Sequence, residues 1–448
     1  MPREYLLIAD AVAPLATAPS AVSAAGLGRA LAASGHKATI LSLASPETAS
    51  AVPGLARRLR TVPTSVGERT FDLSLYEGKA TLSEARLLVL GAPALGRAET
   101  AALLASAVRA LGQDGLVAPH TTIGWGETSA AALSATSAST RLFALPTGRV
   151  GAPLSAEESR LLAPFSIGDD AASRSLVALG SLAANAIFAP SPSAARANEN
   201  DPALATRPSD EPFVAVRFGC DDPPHDPATD PALPATFSAT ALTGKAECRR
   251  ALARRCSLAL GPRTLLLAVG PLHRGEGADA VLAGVERLAP FDVVTLVAPR
   301  GDQDLVERAR LLAIQHPGRI ALLPGDDAGA DRAARAAADA ILLGDDHDQA
   351  GRAAGLALLY GTLPIAPDTG ANRDYLVDLD PRSGTGHAIL YGAATSFEAF
   401  EIEAAVRRAV ALRADGDAWT ALVRSLFAAA PRWAQTAAAV DEIASQYV

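Results

Sequence analysis

"DVVTLVAPRGDQDLVERARLLAIQHPGRIALLP" (292–324) carries the reading that decides the fold. An apolar run (292–298) is followed by a helical stretch (302–316) and then by a second short apolar run (318–324). A strand, a helix and a strand in this order imply a parallel sheet whose two faces are both covered. The same rhythm extends in both directions. Toward the C-terminus, "ADAILLG" (338–344) and "GTLPIAP" (361–367) are further strands; just upstream lies "RTLLLAVG" (263–270). In the first half, "EYLLIAD" (4–10), "KATILSL" (37–43), "ARLLVLG" (85–91), "DGLVAP" (114–119), "AANAIFAP" (183–190) and "FVAVRFG" (213–219) play the same part. The helix "ETAALLASAVRALG" (99–112) lies among them.

Between the halves the composition changes. "NENDPALATRPSDEP" (198–212) and "DDPPHDPATDPALP" (221–234) are rich in proline and acidic residues and read as irregular structure. At 448 residues the chain exceeds what one hydrophobic core usually supports. The expected organisation is an α/β protein with two Rossmann-like, doubly wound domains, 1–245 and 246–430. The last helix, 431–448, packs back on the first. Two such domains make a cleft, and open α/β sheets bind ligands outside the carboxyl ends of their strands.

Composition narrows the function. Apolar residues make up 49% of the chain and aromatics only 4%, which suits small-residue packing between helices and sheet. A net charge of −8 argues against a nucleic-acid binder, which carries a basic face. Apolar runs stay short of the roughly 18–20 residues that span a bilayer, so no membrane partner is expected. Cys220, Cys248 and Cys256 form no CxxC pair and read as reduced thiols of a cytoplasmic protein.

Five segments of the second half carry a family likeness: "HDPATDPALPATFSATALTGKAECRRAL" (225–252), "HPGRIALLPGDDAGADRAARAAADAILL" (316–343), "LALLYGTLPIAPDTGANRDYLVD" (356–378), "GTGHAIL" (384–390) and "APRWAQTAAAVDEI" (430–443). In the first half "LAASGHKATILSL" (31–43) and "VALGSLAANAIFAPSPSAAR" (177–196) fit more loosely. In order and spacing the chain resembles the bacterial glycogen and starch synthases. The resemblance implies a B-type glycosyltransferase fold with its active site between two Rossmann-like domains. It also implies metal-free, cofactor-free, retaining transfer of glucose from ADP-glucose or UDP-glucose to an α-1,4-glucan.

The positions on which that chemistry rests are altered. A metal-free transferase must offset the charge that builds on a departing diphosphate with fixed cations and backbone amides. The family supplies an arginine and a lysine in a pattern like S-R-L-x-x-Q-K-G. Here "VGPLHRGEG" (269–277) places Pro271 and Glu276 at those two positions, with Arg274 as the nearby substitute. The family's K-T-G-G-L loop needs glycines for close backbone approach. It corresponds to "LATAPSAVS" (15–23), with Thr17, Pro19 and Ser20 at the lysine and glycine positions.

Asp348, in the run Asp345, Asp346, His347 and Asp348, falls at the acidic position of the E-P-C-G-L motif, and Gly351 at its glycine. That run reads as a solvated acidic loop, as a sugar contact, or as metal ligands; four consecutive loop residues rarely converge on an ion, and no metal is expected. His120 in "LVAPHTTIGW" (116–125) matches the second histidine of H-A-H-D-W-H, followed by Thr121 and Thr122; it reads as a polar contact or as a structural residue. The family's N-G-I-D segment appears as "FGCD" (218–221). Its T-G-G-L loop appears as "TGAN" (369–372), whose Thr369 and Gly370 would offer amides to phosphate or simply form a turn.

Removing one preorganised donor costs roughly 10²–10³ in rate, so the combined losses correspond to at least about 10⁴. The sequence therefore points to a synthase-like protein with impaired transfer. Its expected partners are an α-glucan or maltooligosaccharide, weakly held ADP-glucose, and an oligomeric partner in itself or an active synthase. A transferase with another donor or a rearranged phosphate site, and a structural assembly component that binds no sugar, are the alternatives.

Overall fold

The chain was analysed as a computed structural model that describes residues 2–146, 151–165, 175–200, 204, 213–223, 225–261, 264–325, 328–344, 350–380, 382–393 and 398–447. Two compact units divide it: Met1–Asp222 with Arg432–Val448, and Pro223–Pro431.

In the first unit nine strands form one sheet: β1 (Glu4–Ala9), β2 (Lys37–Ala44), β3 (Ala56–Val66), β4 (Arg69–Lys79), β5 (Arg86–Gly91), β6 (Thr121–Trp125), β7 (Thr140–Ala144), β8 (Ala186–Ala189) and β9 (Phe213–Ala215). Their order is β3-β4-β5-β2-β1-β6-β7-β8-β9. From β5 to β9 every pairing is parallel, because helices carry the chain back each time. The antiparallel pairings are β4–β5 and the hairpin β3–β4. Its two-residue turn uses Gly67 at φ +58°. Leu6, Ile8, Leu41, Leu88 and Leu90 of the sheet pack with Ala101, Leu104 and Val108 of the Arg97–Gln113 helix in one core. The expected strand 114–119 is instead the loop leaving this helix, and the strand itself begins at Thr121. Val117 is nonetheless buried in the core, which accounts for the apolar signal.

The second unit contains β10 (Leu265–Val269), β11 (Val293–Val297), β12 (Ile320–Leu322), β13 (Ala340–Leu342), β14 (Leu363–Pro367) and β15 (Ile389–Tyr391). They run parallel in the order β12-β11-β10-β13-β14-β15. Numbered within the unit this is 3-2-1-4-5-6, the order of a Rossmann domain. The first unit follows it too once its hairpin is set aside. Both units are therefore Rossmann-like, as the alternation of runs implies.

The last helix, Trp433–Ser445, belongs to the first unit. Trp433 stacks on Phe218 with ring centroids 6.0 Å apart, and Phe218 lies 5.1 Å from Trp125. The Trp433 amide donates to the Asp221 carboxylate at 2.7 Å, and Gly219 N–H donates to the Thr436 hydroxyl at 2.9 Å. Gly26 and Gly219 make this approach possible, since a Cβ on either would collide with Trp433. Asp441 binds Arg3 and accepts the Tyr5 hydroxyl at 2.5 Å, tying the helix to β1.

In the second unit Lys245, on the Thr243–Arg255 helix, is buried with its ammonium among backbone acceptors. It donates to the carbonyls of Ala336 at 3.1 Å and Tyr360 at 2.9 Å, and to the Thr362 hydroxyl at 2.9 Å. These close the carboxyl ends of the Ala328–Ala337 and Arg352–Leu359 helices, where a cation also complements the dipoles. Burial pulls the Lys245 pKa down to about 7. Lys245→Met is expected to orphan these acceptors and destabilise the protein by about 2–4 kcal/mol, read from urea denaturation midpoints.

Candidate functional site

In each unit, chemistry is to be sought at the carboxyl ends of the strands. The first unit has a cavity of about 290 Å³ there, lined by Asp10, Ser20, Trp125, Glu127, Pro146 and Gly151 among others. Asp10 follows β1, Gly126 and Glu127 follow β6, and Pro146 follows β7. Trp125 is fixed by its indole N–H, which donates to the Ser20 carbonyl at 3.1 Å. Gly126 takes φ +80°, which turns the chain sharply out of β6. One carboxylate oxygen of Glu127 is sealed from solvent and has no hydrogen-bond partner among the described residues. Gly151 leaves the space for it, since a Cβ there would collide with that oxygen. A carboxylate with one unpartnered oxygen, lining the cavity together with Asp10, is suited to accept hydroxyl groups of a small polyol.

His120 is not part of this cavity. It precedes β6 and so lies at the amino end of the sheet, where its Nδ1 accepts the Glu4 amide at 3.2 Å. Of its two readings, a polar contact and a structural residue, this position fits the second, because the strand starts one residue after the histidine. The end of the strand, where the resemblance puts H-A-H-D-W-H, holds Trp125, Gly126 and Glu127. Sequence matching on a lone histidine missed them; the acidic residue directly after an apolar strand was the available signal.

In the second unit the loop after β10 is tied to the loop after β11. Leu272 N–H donates to the Arg300 carbonyl at 2.7 Å, and Asp302 N–H donates back to Leu272 at 2.8 Å. Gly301, at φ +118°, is required here because a Cβ would strike the Leu272 carbonyl. Pro271 is exposed on this loop. Arg274 is exposed as well, yet it is clasped by two carboxylates: its guanidinium pairs with Asp304 and, at 3.2 Å, with Asp279. The hydrogen bonds it donates to Asp304 and Asp279 raise its pKa further. Both aspartates occupy first turns of helices, Gln303–Gln315 and Ala278–Arg287, where negative charge is favoured. The helix ends that would take a phosphate already carry carboxylates of the chain itself.

Thr369 and Gly370 open the short Gly370–Tyr375 helix, with Gly370 at φ +47° facing open space. The cation of that turn, Arg373, pairs with Asp368 at 3.0 Å. Arg300 pairs with Asp331 at 2.6 Å. Asp348 and its neighbours 345–349 lie outside the described residues. Among the described residues no group of three His, Cys, Asp or Glu side chains is placed to hold a metal ion. No helix among them is long and apolar enough to cross a membrane.

Arginines that the sequence reading did not single out gather elsewhere in this unit. Arg332 pairs at 2.8 Å with Asp230, whose side chain is fully buried and also accepts the Tyr360 hydroxyl at 2.9 Å. Arg335 lies one turn along the same helix, and Arg352 begins the helix after the acidic run. His225 sits among them. Burial first, and then Arg335, Arg352 and Arg332, lower its pKa to about 3, with Asp230 opposing.

Comparison with known proteins fits this architecture. No family model matches the chain. The catalytic domain of starch synthase IV from Arabidopsis thaliana, bound to ADP and acarbose, superposes with a TM-score of 0.81 at 18% identity, over 100% of this chain and 99% of that one. Sucrose-phosphate synthase from Thermosynechococcus elongatus gives 0.60 at 14% identity, over 99% of each chain. At these identities the likeness concerns the fold alone, and it defines the class: a protein of the B-type glycosyltransferase fold. Sequence gives the second step. The chain is 33% identical over 230 residues to a glycogen synthase of Anaeromyxobacter sp. (strain Fw109-5), covering 50% of this chain and 47% of that protein. It is 32% identical over 232 residues to a glycogen synthase of Halorhodospira halophila (strain DSM 244 / SL1), covering 51% and 48%. The match thus spans about half the length of these relatives, and over that half the chain is similar in sequence to glycogen synthases.

The histidine yields a prediction with a definite sign. Its folded pKa near 3 lies below the ordinary imidazole value of 6.5, so the unfolded chain binds the proton more tightly. The stability involved is present above pH 6.5 and is lost progressively as the pH falls toward 3. Between pH 7 and pH 5 the loss is expected to be up to about 2 kcal/mol. Urea midpoints at the two pH values should converge in His225→Asn.

Proposed function

We propose that this protein is a glycogen/starch-synthase-like homologue in which glucosyl transfer is impaired and which binds α-glucan, in a glucan-binding or regulatory role. One observation carries the reading. On the loop after β10, where the resemblance requires cations for the departing diphosphate, Pro271 offers neither charge nor N–H, and Arg274 is held by Asp279 and Asp304. A guanidinium committed to two carboxylates has little attraction left for an anion. The loop after β14 supports the same reading, because Arg373 is held by Asp368 and only the backbone of Thr369 and Gly370 remains to be offered.

The glucan part of the proposal rests on the first unit. Asp10 and Glu127 line a cavity of about 290 Å³, near the lower end of the small-molecule range and matched to about one sugar ring. The structurally similar starch synthase domain carries ADP and acarbose, which makes a glucan and a nucleotide sugar the ligands to test. A second reading, an active retaining glycosyltransferase with a rearranged phosphate site, is favoured by one observation: Arg352 opens the helix that follows the acidic run.

The deciding assay uses ADP-glucose with a maltooligosaccharide acceptor. Turnover at least about 10⁴ below ordinary synthase rates is expected; ordinary turnover, about 1–10³ s⁻¹, overturns the proposal. Maltooligosaccharide binding, read by calorimetry, is expected to weaken about tenfold in Glu127→Ala, the loss of one charged hydrogen-bond acceptor. Unchanged binding would remove Glu127 from the site.

A further inference from the structure

Of four buried polar atoms in the second unit that lack a hydrogen-bond partner among the described residues, two, contributed by different elements, face one cluster. Arg335 Nε and His225 Nδ1 are sealed from solvent, and neither makes a hydrogen bond among the described residues. Buried polar groups are nearly always paired, so two orphans facing one cluster point to a missing ligand. Their surroundings indicate its charge. Arg335 is in electrostatic contact with Arg352, Arg300, Asp331 and Tyr360, and His225 with Arg335, Arg352, Arg332 and Asp230. Among the described residues, four guanidinium groups thus face two carboxylates. Both carboxylates are engaged, Asp331 by Arg300 at 2.6 and 2.7 Å, and Asp230 by Arg332 and Tyr360.

The frame is rigid. Arg332 and Arg335 project from the Ala328–Ala337 helix, Arg352 begins the Arg352–Leu359 helix, and Lys245 holds the carboxyl ends of both. Like charges gathered on a fixed frame repel one another unless an anion lies between them.

We propose that Arg335, Arg352 and His225 form a binding site for a phosphoryl anion. Guanidinium forks match the oxygens of a phosphate, and the imidazole supplies a further nitrogen from the opposite segment. With the anion in place the field of Arg335, Arg352 and Arg332 on His225 is offset, so the imidazole takes up a proton and becomes a donor. The site is distinct from the loops after β10 and β14, and shares only Arg352 with the rearranged phosphate site of the second reading. It does not depend on whether transfer occurs, and its test reads binding rather than turnover.

The experiment titrates the full chain by calorimetry with inorganic phosphate, glucose 1-phosphate and ADP, at matched ionic strength with chloride as the control. Saturable phosphate binding is expected. It should weaken about tenfold or more in Arg335→Met, the loss of a charged hydrogen bond, and remain unchanged in Arg287→Ala, a surface arginine paired with Glu403. Tighter binding of ADP than of inorganic phosphate would identify a nucleotide as the source of the phosphoryl group; equal binding would identify a small phosphate. Should Arg335→Met fail to fold, His225→Asn and the imidazole resonances of His225 in the wild-type chain provide the same reading, with its pKa expected to rise on adding phosphate. Absence of saturable binding at millimolar phosphate, equal affinity in the variants, or an unmoved His225 resonance would each overturn the proposal.

Discussion

The second unit depends on a single buried ammonium. Lys245 reaches across from the Thr243–Arg255 helix to acceptors that end two other helices and begin β14. Helix ends leave carbonyls that must be satisfied inside the protein, and burying a charge is tolerated only where such acceptors converge. The Phe237 ring lies 5.5 Å from the ammonium and shields its remaining side. Because the two helices are fixed at their carboxyl ends, Arg332 in the middle of one and Arg352 at the start of the other are delivered to set positions. A polar contact in the core thereby governs where charge appears on the functional side of the domain.

Charge on that side is paired with unusual regularity. Arg274 meets Asp279 and Asp304, Arg300 meets Asp331, and Arg373 meets Asp368. Exposed pairs of this kind add little to stability, because water screens them and long side chains lose freedom in forming them. Their effect is on ligands. An anion approaching the loop after β10 or β14 must displace a carboxylate that is already in contact with its guanidinium.

Much of the fold was legible because parallel strands buried on both faces read as continuous apolar runs, and nearly every such run became a strand. The hairpin β3–β4 escaped because β3 is an edge strand whose first six residues, with Arg57, Arg58 and Arg60 among them, are exposed. An edge strand needs no apolar run and carries charge to its advantage. The site was less legible. His120 was found by matching a motif letter, but its position before the strand turned it away from the ligand side. Glu127 was passed over because nothing in its neighbours marks it until the strand end is fixed. Arg332 and Arg335 lie in an alanine-rich stretch that fits the family as a whole. Their partners Asp230 and Tyr360 are about 100 and 30 residues distant, and no local pattern joins them.

The helix Trp433–Ser445 has a consequence for how the molecule is made. It completes the first unit yet leaves the ribosome only after more than two hundred residues of the second have emerged. Until then Phe218 lacks its stacking partner, and Asp221 and Thr436 lack each other's segment of chain. Domains usually form one after another as synthesis proceeds. Here the earlier domain is held open during translation, and the later one is inserted within it, as a parenthesis that must be written before the opening clause can end.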